Sequence, residues 1–264
     1  MDSYDAFAAF RMTGHQAIVT GGAQNIGAGI AKVLAGAGAS VMIADLDGDR
    51  AVATAAEIAA LTGNPCIGMA CDVTSKADIE AVVAATVAAF GGISTLVNNV
   101  GWGARHPDPT AITEDEMVAS YKLNTVSAYR MSMACLPHLL EAGNASITNS
   151  GSFSSATPAY DILAYATAKA ALNQMMVSLA HMLAQKVRVN SILIGTVLTA
   201  GYEAAGIDAA TQERMKRPDN LTGRPGRPED VANAMLWLGS PAGSWVSGQT
   251  LNVHGGGGVV RLFG

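Results

Sequence analysis

Apolar residues along this chain follow two patterns. Short apolar runs at 17–19, 40–44, 66–70, 93–97, 145–149, 186–193 and 251–253 read as buried strands. Between them lie stretches that read as helices, at 28–37, at 49–62, which is alanine-rich, and at 77–90, which stops at Gly91-Gly92. A long helix opens at Thr113-Glu114-Asp115-Glu116, and the last one at Gly226-Arg227-Pro228-Glu229-Asp230. Both carry acids where a first turn favours them, and the second also carries a proline. Alternating strands and helices predict an α/β architecture with a parallel sheet. With no linker or repeat, 1–264 reads as one domain, with an N-terminal arm over 1–13 and a small substrate lid over 200–222.

The first strand runs into Thr20-Gly21-Gly22-Ala23-Gln24-Asn25-Ile26-Gly27, a helix follows, and the second strand ends at Asp45. A glycine turn lets the backbone come close to a ligand, and the helix after it aims free N–H groups and a positive dipole end at a pyrophosphate. An acid ~20 residues further on meets an adenosine ribose. This βαβ unit predicts a doubly wound Rossmann-type domain, with Gly21, Gln24, Asn25, Ile26, Gly27 and Asp45 on a dinucleotide. Asn25 stands where a third glycine is usual, and Asn tolerates positive φ. A carboxylate at 45 repels a 2′-phosphate, Gln24 brings no charge, and the nearest base, Arg50, lies inside the next helix, so NAD is expected over NADP. Asp72-Val73 ends the third strand, where Asp72 either accepts from the adenine amino group or caps the helix starting near Ser75. Asn98-Asn99-Val100-Gly101 ends the fourth strand and places Asn99 and Gly101 in a crevice at the sheet's switch point.

Composition narrows the partners. Sixteen basic and 21 acidic residues give a net charge of −5, which argues against nucleic acid or anionic membrane. Only 14% of the 264 residues are charged and mean hydropathy is +0.27, which points to subunit contacts. No apolar run reaches the ~18 residues of a membrane helix, and no secretory signal is visible. Cys66, Cys71 and Cys135 make neither a disulfide framework nor a zinc site, so a reducing cytoplasm is expected. The five histidines are scattered and no metal is expected. His106, in a Gly- and Pro-rich loop, reads as a loop side chain rather than a base.

The remaining chemistry lies in the second half. The cluster Ser150-Gly151-Ser152-Phe153-Ser154-Ser155 reads as a loop, thirteen residues before Tyr165-Ala166-Thr167-Ala168-Lys169 opens a helix. Tyr165 and Lys169, four apart, share a helix face about 6 Å apart along the axis. An ammonium there favours the phenolate and makes tyrosine a usable base. Ser152 suits a developing substrate oxyanion. Asn124, a poor helix-interior residue, either caps a local irregularity or is kept for its amide.

These residues resemble the short-chain dehydrogenase/reductase family over nearly the whole chain. The likeness runs through Thr20-Gly21…Gly27, Asn98-Asn99…Gly101, Asn124, Ser152, Tyr165, Lys169, Gly195…Thr199 and Trp245-Val246-Ser247-Gly248-Gln249. Within the family, the stretch 240–249 and the glycine-rich terminus are similar to bacterial 7α-hydroxysteroid dehydrogenases. The resemblance implies a secondary alcohol/ketone oxidoreductase in which Tyr165 moves the proton and Ser152 holds the substrate oxygen. It implies that Lys169 binds the nicotinamide ribose and that Asn124 extends a water relay. It also puts Gly195, Val197 and Thr199 on the cofactor and implies a homotetramer. Ile194 replaces the family's proline and Val100 its alanine. Trp102, Phe153, Tyr160, Tyr202 and Met215 are candidates for an apolar pocket. Two alternatives stay open. One is an NADPH-linked 3-oxoacyl thioester reductase, with Arg214, Lys216, Arg217, Arg224 and Arg227 as a basic rim for an acidic carrier. The other is a non-catalytic nucleotide sensor.

Overall fold

The structure is a computed structural model and describes residues 5–199, 209, 210, 213 and 220–256. Its strands are β1 (Gln16–Thr20), β2 (Ser40–Asp45), β3 (Cys66–Ala70), β4 (Thr95–Asn98), β5 (Ala145–Ser152), β6 (Val187–Ile194) and β7 (Thr250–Val253). Among the described residues these seven form one sheet in the order β3-β2-β1-β4-β5-β6-β7, every pairing parallel. The order reverses between β1 and β4, so the crossovers to either side leave a crevice at those strands' carboxyl ends.

Side chains alternate across the strands and feed two apolar layers. Ile18, Met42, Leu96 and Ile147 face one layer, with α3 (Lys76–Phe90), α5 (Ser127–Glu141) and α6 (Leu163–Met182). Ala17, Val19, Val41, Ile43 and Val97 face the other, with α1 (Asn25–Gly36), α2 (Gly48–Thr62) and α7 (Pro228–Gly239). This is the doubly wound Rossmann-type domain the alternation predicts, and burial on both faces explains why the strands read as apolar runs.

Two differences from expectation bear on the packing. Residues 145–149 end a predicted strand, but β5 continues to Ser152 because Gly151 and Ser152 pair with Leu193 and Ile194. The arm over 1–13 is not loose at its inner end: Met12 is fully buried and its N–H donates to the Ala37 carbonyl at 2.7 Å. The lid over 200–222 falls mostly outside the described residues, and with it Tyr202, Met215, Arg214, Lys216 and Arg217. The three thiols are free, and burial pushes Cys66 and Cys71 up to about 11 and Cys135 to about 12.

The α2 backbone rests directly on β3. A Cβ at Gly68 would lie 2.1 Å from the Ala51 carbonyl carbon and 2.4 Å from the Val52 nitrogen. Gly68→Ala is therefore expected to lower unfolding free energy by ~3 kcal/mol, read from urea unfolding; an unchanged midpoint would show that α2 moves aside freely.

Candidate active site

The switch-point crevice has two lobes that share Ile26, Asn99 and Gly101. The lobe over β1 and β2 has a volume of about 350 Å³ and is lined from the glycine turn and from the ends of β2, β3 and β4. Gly21 and Asn25 hold φ of +61° and +53°, so Asn25 does take the left-handed conformation that its residue type allows. A Cβ at Gly27 would lie 1.9 Å from the Gly21 carbonyl oxygen, so only glycine lets α1 start directly over that turn. Gln24, the residue before α1, makes no side-chain cap. The helix's first N–H groups are thus left for an anion, and Asn25, Ile26 and Gly27 line the lobe.

Asp45 sits at the outer rim of this lobe. Its two oxygens accept N–H groups of Ala23 at 2.9 Å and Asp47 at 3.1 Å, which fixes the carboxylate while leaving lone pairs for hydroxyls. Asp72 and Val73 also line the lobe. The helix-capping alternative for Asp72 falls instead to Ser75, whose hydroxyl accepts the Asp78 N–H. Asp72 accepts from the N–H and hydroxyl of Thr74 at 2.8 and 2.7 Å.

The second lobe has a volume of about 630 Å³ and carries Ser152, Tyr165, Lys169 and Gly195. Lys169 is 1% exposed, and its Nζ donates to the carbonyls of Ser150 at 2.9 Å and Val100 at 3.2 Å. An ammonium has three donors, so one remains for a ligand. Nζ lies 5.8 Å from the Tyr165 ring centroid. Burial lowers the lysine pKa from 10.5 to about 7. Missing side chains allow this packing: a Cβ would meet Nζ at 2.5 Å from Gly101 and the Tyr165 Cβ at 2.3 Å from Gly103.

Asn124 resolves both readings made of it. The helix that begins as α4 (Glu114–Tyr121) widens to a π-turn over Lys122–Val126 before α5, and Asn124 lies in that turn. Its amide donates to the carbonyls of Trp102 and Ser120, both at 2.9 Å, and accepts the Trp102 N–H at 3.1 Å. It therefore seats the Gly101–Trp102 backbone beside Lys169. The paired asparagines divide. Asn98 is buried and donates to Asn149 at 2.9 Å. Asn99 lines both lobes, donates to the Gly21 carbonyl at 3.1 Å and accepts from the Ser150 hydroxyl at 3.0 Å.

Other candidates scatter. Thr199 lines the first lobe, but Val197 is buried in the second core layer and lines neither. Phe153 and Tyr160 line the second lobe, whereas Trp102 does not. His106 Nε2 is 2.9 Å from Glu116, and Arg105 is ion-paired with Asp161 at the lobe's edge. Of the basic rim, Arg224 is held by both oxygens of Asp230 at 2.6 and 2.8 Å. Ser154 was not singled out in the sequence: its hydroxyl is 2.8 Å from that of Ser152, and it lines the same lobe. In sequence nothing distinguishes it from its neighbouring serines. Among the described residues no helix is long and apolar enough to cross a membrane, and no three His, Cys, Asp or Glu gather for a metal.

The fold and its switch-point crevice are those of an oxidoreductase, and the chain belongs to the short-chain dehydrogenase/reductase family. A family model described as enoyl-(acyl carrier protein) reductase matches residues 21–257. The chain is 35% identical to the 7α-hydroxysteroid dehydrogenase of Escherichia coli K12 over 94% of its own length and 95% of the relative's. Its fold matches a 7α-hydroxysteroid dehydrogenase solved with NADH and 7-oxo glycochenodeoxycholic acid, with a TM-score of 0.88 and 33% identity over 97% of this chain and 98% of that one. A short-chain dehydrogenase of Burkholderia cenocepacia solved with NADP matches with a TM-score of 0.82 and 30% identity over 93% and 98%. The chain is an oxidoreductase of hydroxyl and keto groups.

Burying Lys169 makes stability depend on pH. Its folded pKa of about 7 lies below the ordinary 10.5, so the unfolded chain binds more protons between those values. The contribution is full above 10.5, declines as pH falls and is gone below about 7. The stability of the native protein minus that of Lys169→Met should therefore rise with pH across this window, with a slope of up to ~1.4 kcal/mol per unit. Urea unfolding from pH 6 to 10 checks this, and a flat difference would mean the lysine is not desolvated.

Proposed function

We propose that this chain interconverts a secondary alcohol and a ketone with NAD(H), using Tyr165 as acid and base. The observation that carries the reading is the buried Lys169, one helical turn from Tyr165 and held by two carbonyls at the floor of the lobe that also holds Ser152. The bound nicotinamide takes up or supplies the hydride. Tyr165 removes the hydroxyl proton in oxidation and returns it in reduction. Lys169, as the ammonium, favours the phenolate by its charge. Its remaining N–H serves the nicotinamide ribose. Ser152, supported by Ser154, holds the substrate oxygen.

Asn124 is a positioning residue in this scheme. Its Oδ1 and Lys169 Nζ lie within 3.0 and 2.5 Å of the point a Gly101 Cβ would occupy, and this proximity supports Asn124 as the group that extends the relay from Lys169. Asp45, at the ribose end, supports NAD over NADP. A hydroxysteroid or another cyclic, largely apolar alcohol suits a lobe faced by Phe153 and Tyr160. Exposed Val118, Tyr121, Tyr129, Leu163 and Trp245 support a homotetramer, and the free thiols support a cytoplasmic setting.

Tyr165→Phe is expected to lose ~10²–10⁴-fold in turnover while still binding NADH. The assay is nicotinamide absorbance over hydroxysteroids, aryl and alkyl secondary alcohols, sugar alcohols and 3-hydroxyacyl thioesters; retained turnover would remove Tyr165 from the proton step. Asp45→Ala is expected to narrow the NAD-over-NADP preference in kcat/KM by ~10-fold or more, the loss of one charged hydrogen-bonding partner. An unchanged ratio would place cofactor choice elsewhere.

A further inference from the structure

Ser152 stands where the sheet stops holding the chain. Its pairing with Ile194 is the last of the β5–β6 ladder, and a tight turn, Phe153–Ser155, follows at once. Within that turn the Ser152 hydroxyl accepts the Ser154 N–H at 3.3 Å and lies 2.8 Å from the Ser154 hydroxyl. The Ser152 carbonyl is held from a different element. It accepts the Ser155 hydroxyl at 2.5 Å, and the Ser155 oxygen lies 2.8 Å from Asn173 Nδ2. A hydroxyl has one hydrogen; with it on the Ser152 carbonyl, Ser155 must accept from Asn173, which fixes the direction of both bonds. Asn173 lies on α6 four residues past Lys169 and eight past Tyr165, so the three share one face of that helix. It reaches the turn because Gly151 has no side chain: a Cβ there would lie 2.8 Å from Asn173 Oδ1.

We infer that Asn173 is a positioning residue for the reaction: through Ser155 it ties the turn that carries Ser152 to the helix that carries Tyr165 and Lys169, and so sets the serine hydroxyl against the phenol. A strand end and a helix have no fixed distance of their own, and here one amide donor supplies it. The requirement is exacting, because a ~1 Å misplacement near the reacting atoms costs ~100-fold in rate. Asn173 does this at the expense of its own hydrogen bonding. Among the described residues its Oδ1 is buried against Gly151 and meets no donor. An unpaired buried acceptor lowers stability, so a side chain kept for packing alone would be apolar at this position. The inference rests on the reading of Ser152 as the group that holds the substrate oxygen.

The test is turnover and NADH binding of Asn173→Leu, which keeps the side-chain size and removes the donor, and of Ser155→Ala. Each is made in the native protein and in Ser152→Ala, and assayed on the alcohol of the panel above that the native protein oxidises fastest. In the native background both are expected to lower kcat ~10-fold or more and to leave the Kd for NADH within about twofold. In the Ser152→Ala background neither should lower kcat further, because the hydroxyl they position is gone. Urea unfolding supplies a second readout: the midpoint of Asn173→Leu should not fall, since the change also removes the unpaired acceptor. Equal kcat losses in both backgrounds, an unchanged kcat in the native background, or a lowered midpoint with weakened NADH binding would overturn the inference alone. A Ser152→Ala protein that turns over as fast as the native one would overturn the reading of Ser152 and the inference with it.

Discussion

A buried lysine ammonium sets the demands that the surrounding structure meets. Removing a cation from water is costly unless fixed dipoles replace the solvent. Around Lys169 those dipoles are the carbonyls of Val100, after β4, and Ser150, near the end of β5. Both strand ends must therefore stop at one level, and the backbone after β4 must pass within touching distance of α6. That passage is possible because residues 101 and 103 have no side chain. It is stable because Asn124 holds the Trp102 amide from both sides, and Asn124 reaches it from a helix widened by a π-turn. Four segments remote in sequence thus converge on one nitrogen. A local change in any of them alters the electrostatics of Tyr165 without touching the tyrosine.

The two lobes of the crevice are built in different ways. The lobe over β1 and β2 presents an uncapped helix start, a glycine under it and a carboxylate fixed by two N–H groups. The other half relies on side chains: a hydroxyl pair, a phenol and an ammonium whose mutual positions decide protonation. Asn99 joins them, donating to the Gly21 carbonyl of one half and accepting from Ser150 of the other.

This division explains what could be read from the chain. The strands were legible because burial on both faces makes each an unbroken apolar run. The glycine turn was legible because only certain residues tolerate its dihedral angles, and Asn25 at positive φ illustrates this. Tyr165 and Lys169 were legible because helical spacing converts sequence distance into spatial distance. Contacts between elements were hidden. The extension of β5 to Ser152 depends on β6 as a partner, and serine-rich sequence on its own reads as a loop. Asn98 and Asn99 are identical in sequence, but strand alternation sends one into a buried chain of amides and the other into the crevice. Arg50 lay five residues past the acid and looked remote until α2 folded back against the turn.

The buried amides at the carboxyl ends of the strands belong to the same logic. A crevice that binds polar ligands brings polar groups down into the sheet, where each needs a partner. Asn98 donates to Asn149, Asn149 donates to the Asn190 carbonyl at 3.1 Å, and Asn190 donates to the Val246 carbonyl at 2.9 Å. Asn190 also accepts the Gln249 N–H at 3.0 Å, which leads directly into β7. The chain crosses β4, β5 and β6 in the layer just beneath Asn99, Ser150 and Ser152. An apolar residue at any of these positions would leave a neighbouring amide unpaired rather than simply remove one bond. The amides thus fix the relative height of three strand ends, and that height determines where the lysine's two carbonyls and the Ser152 hydroxyl stand.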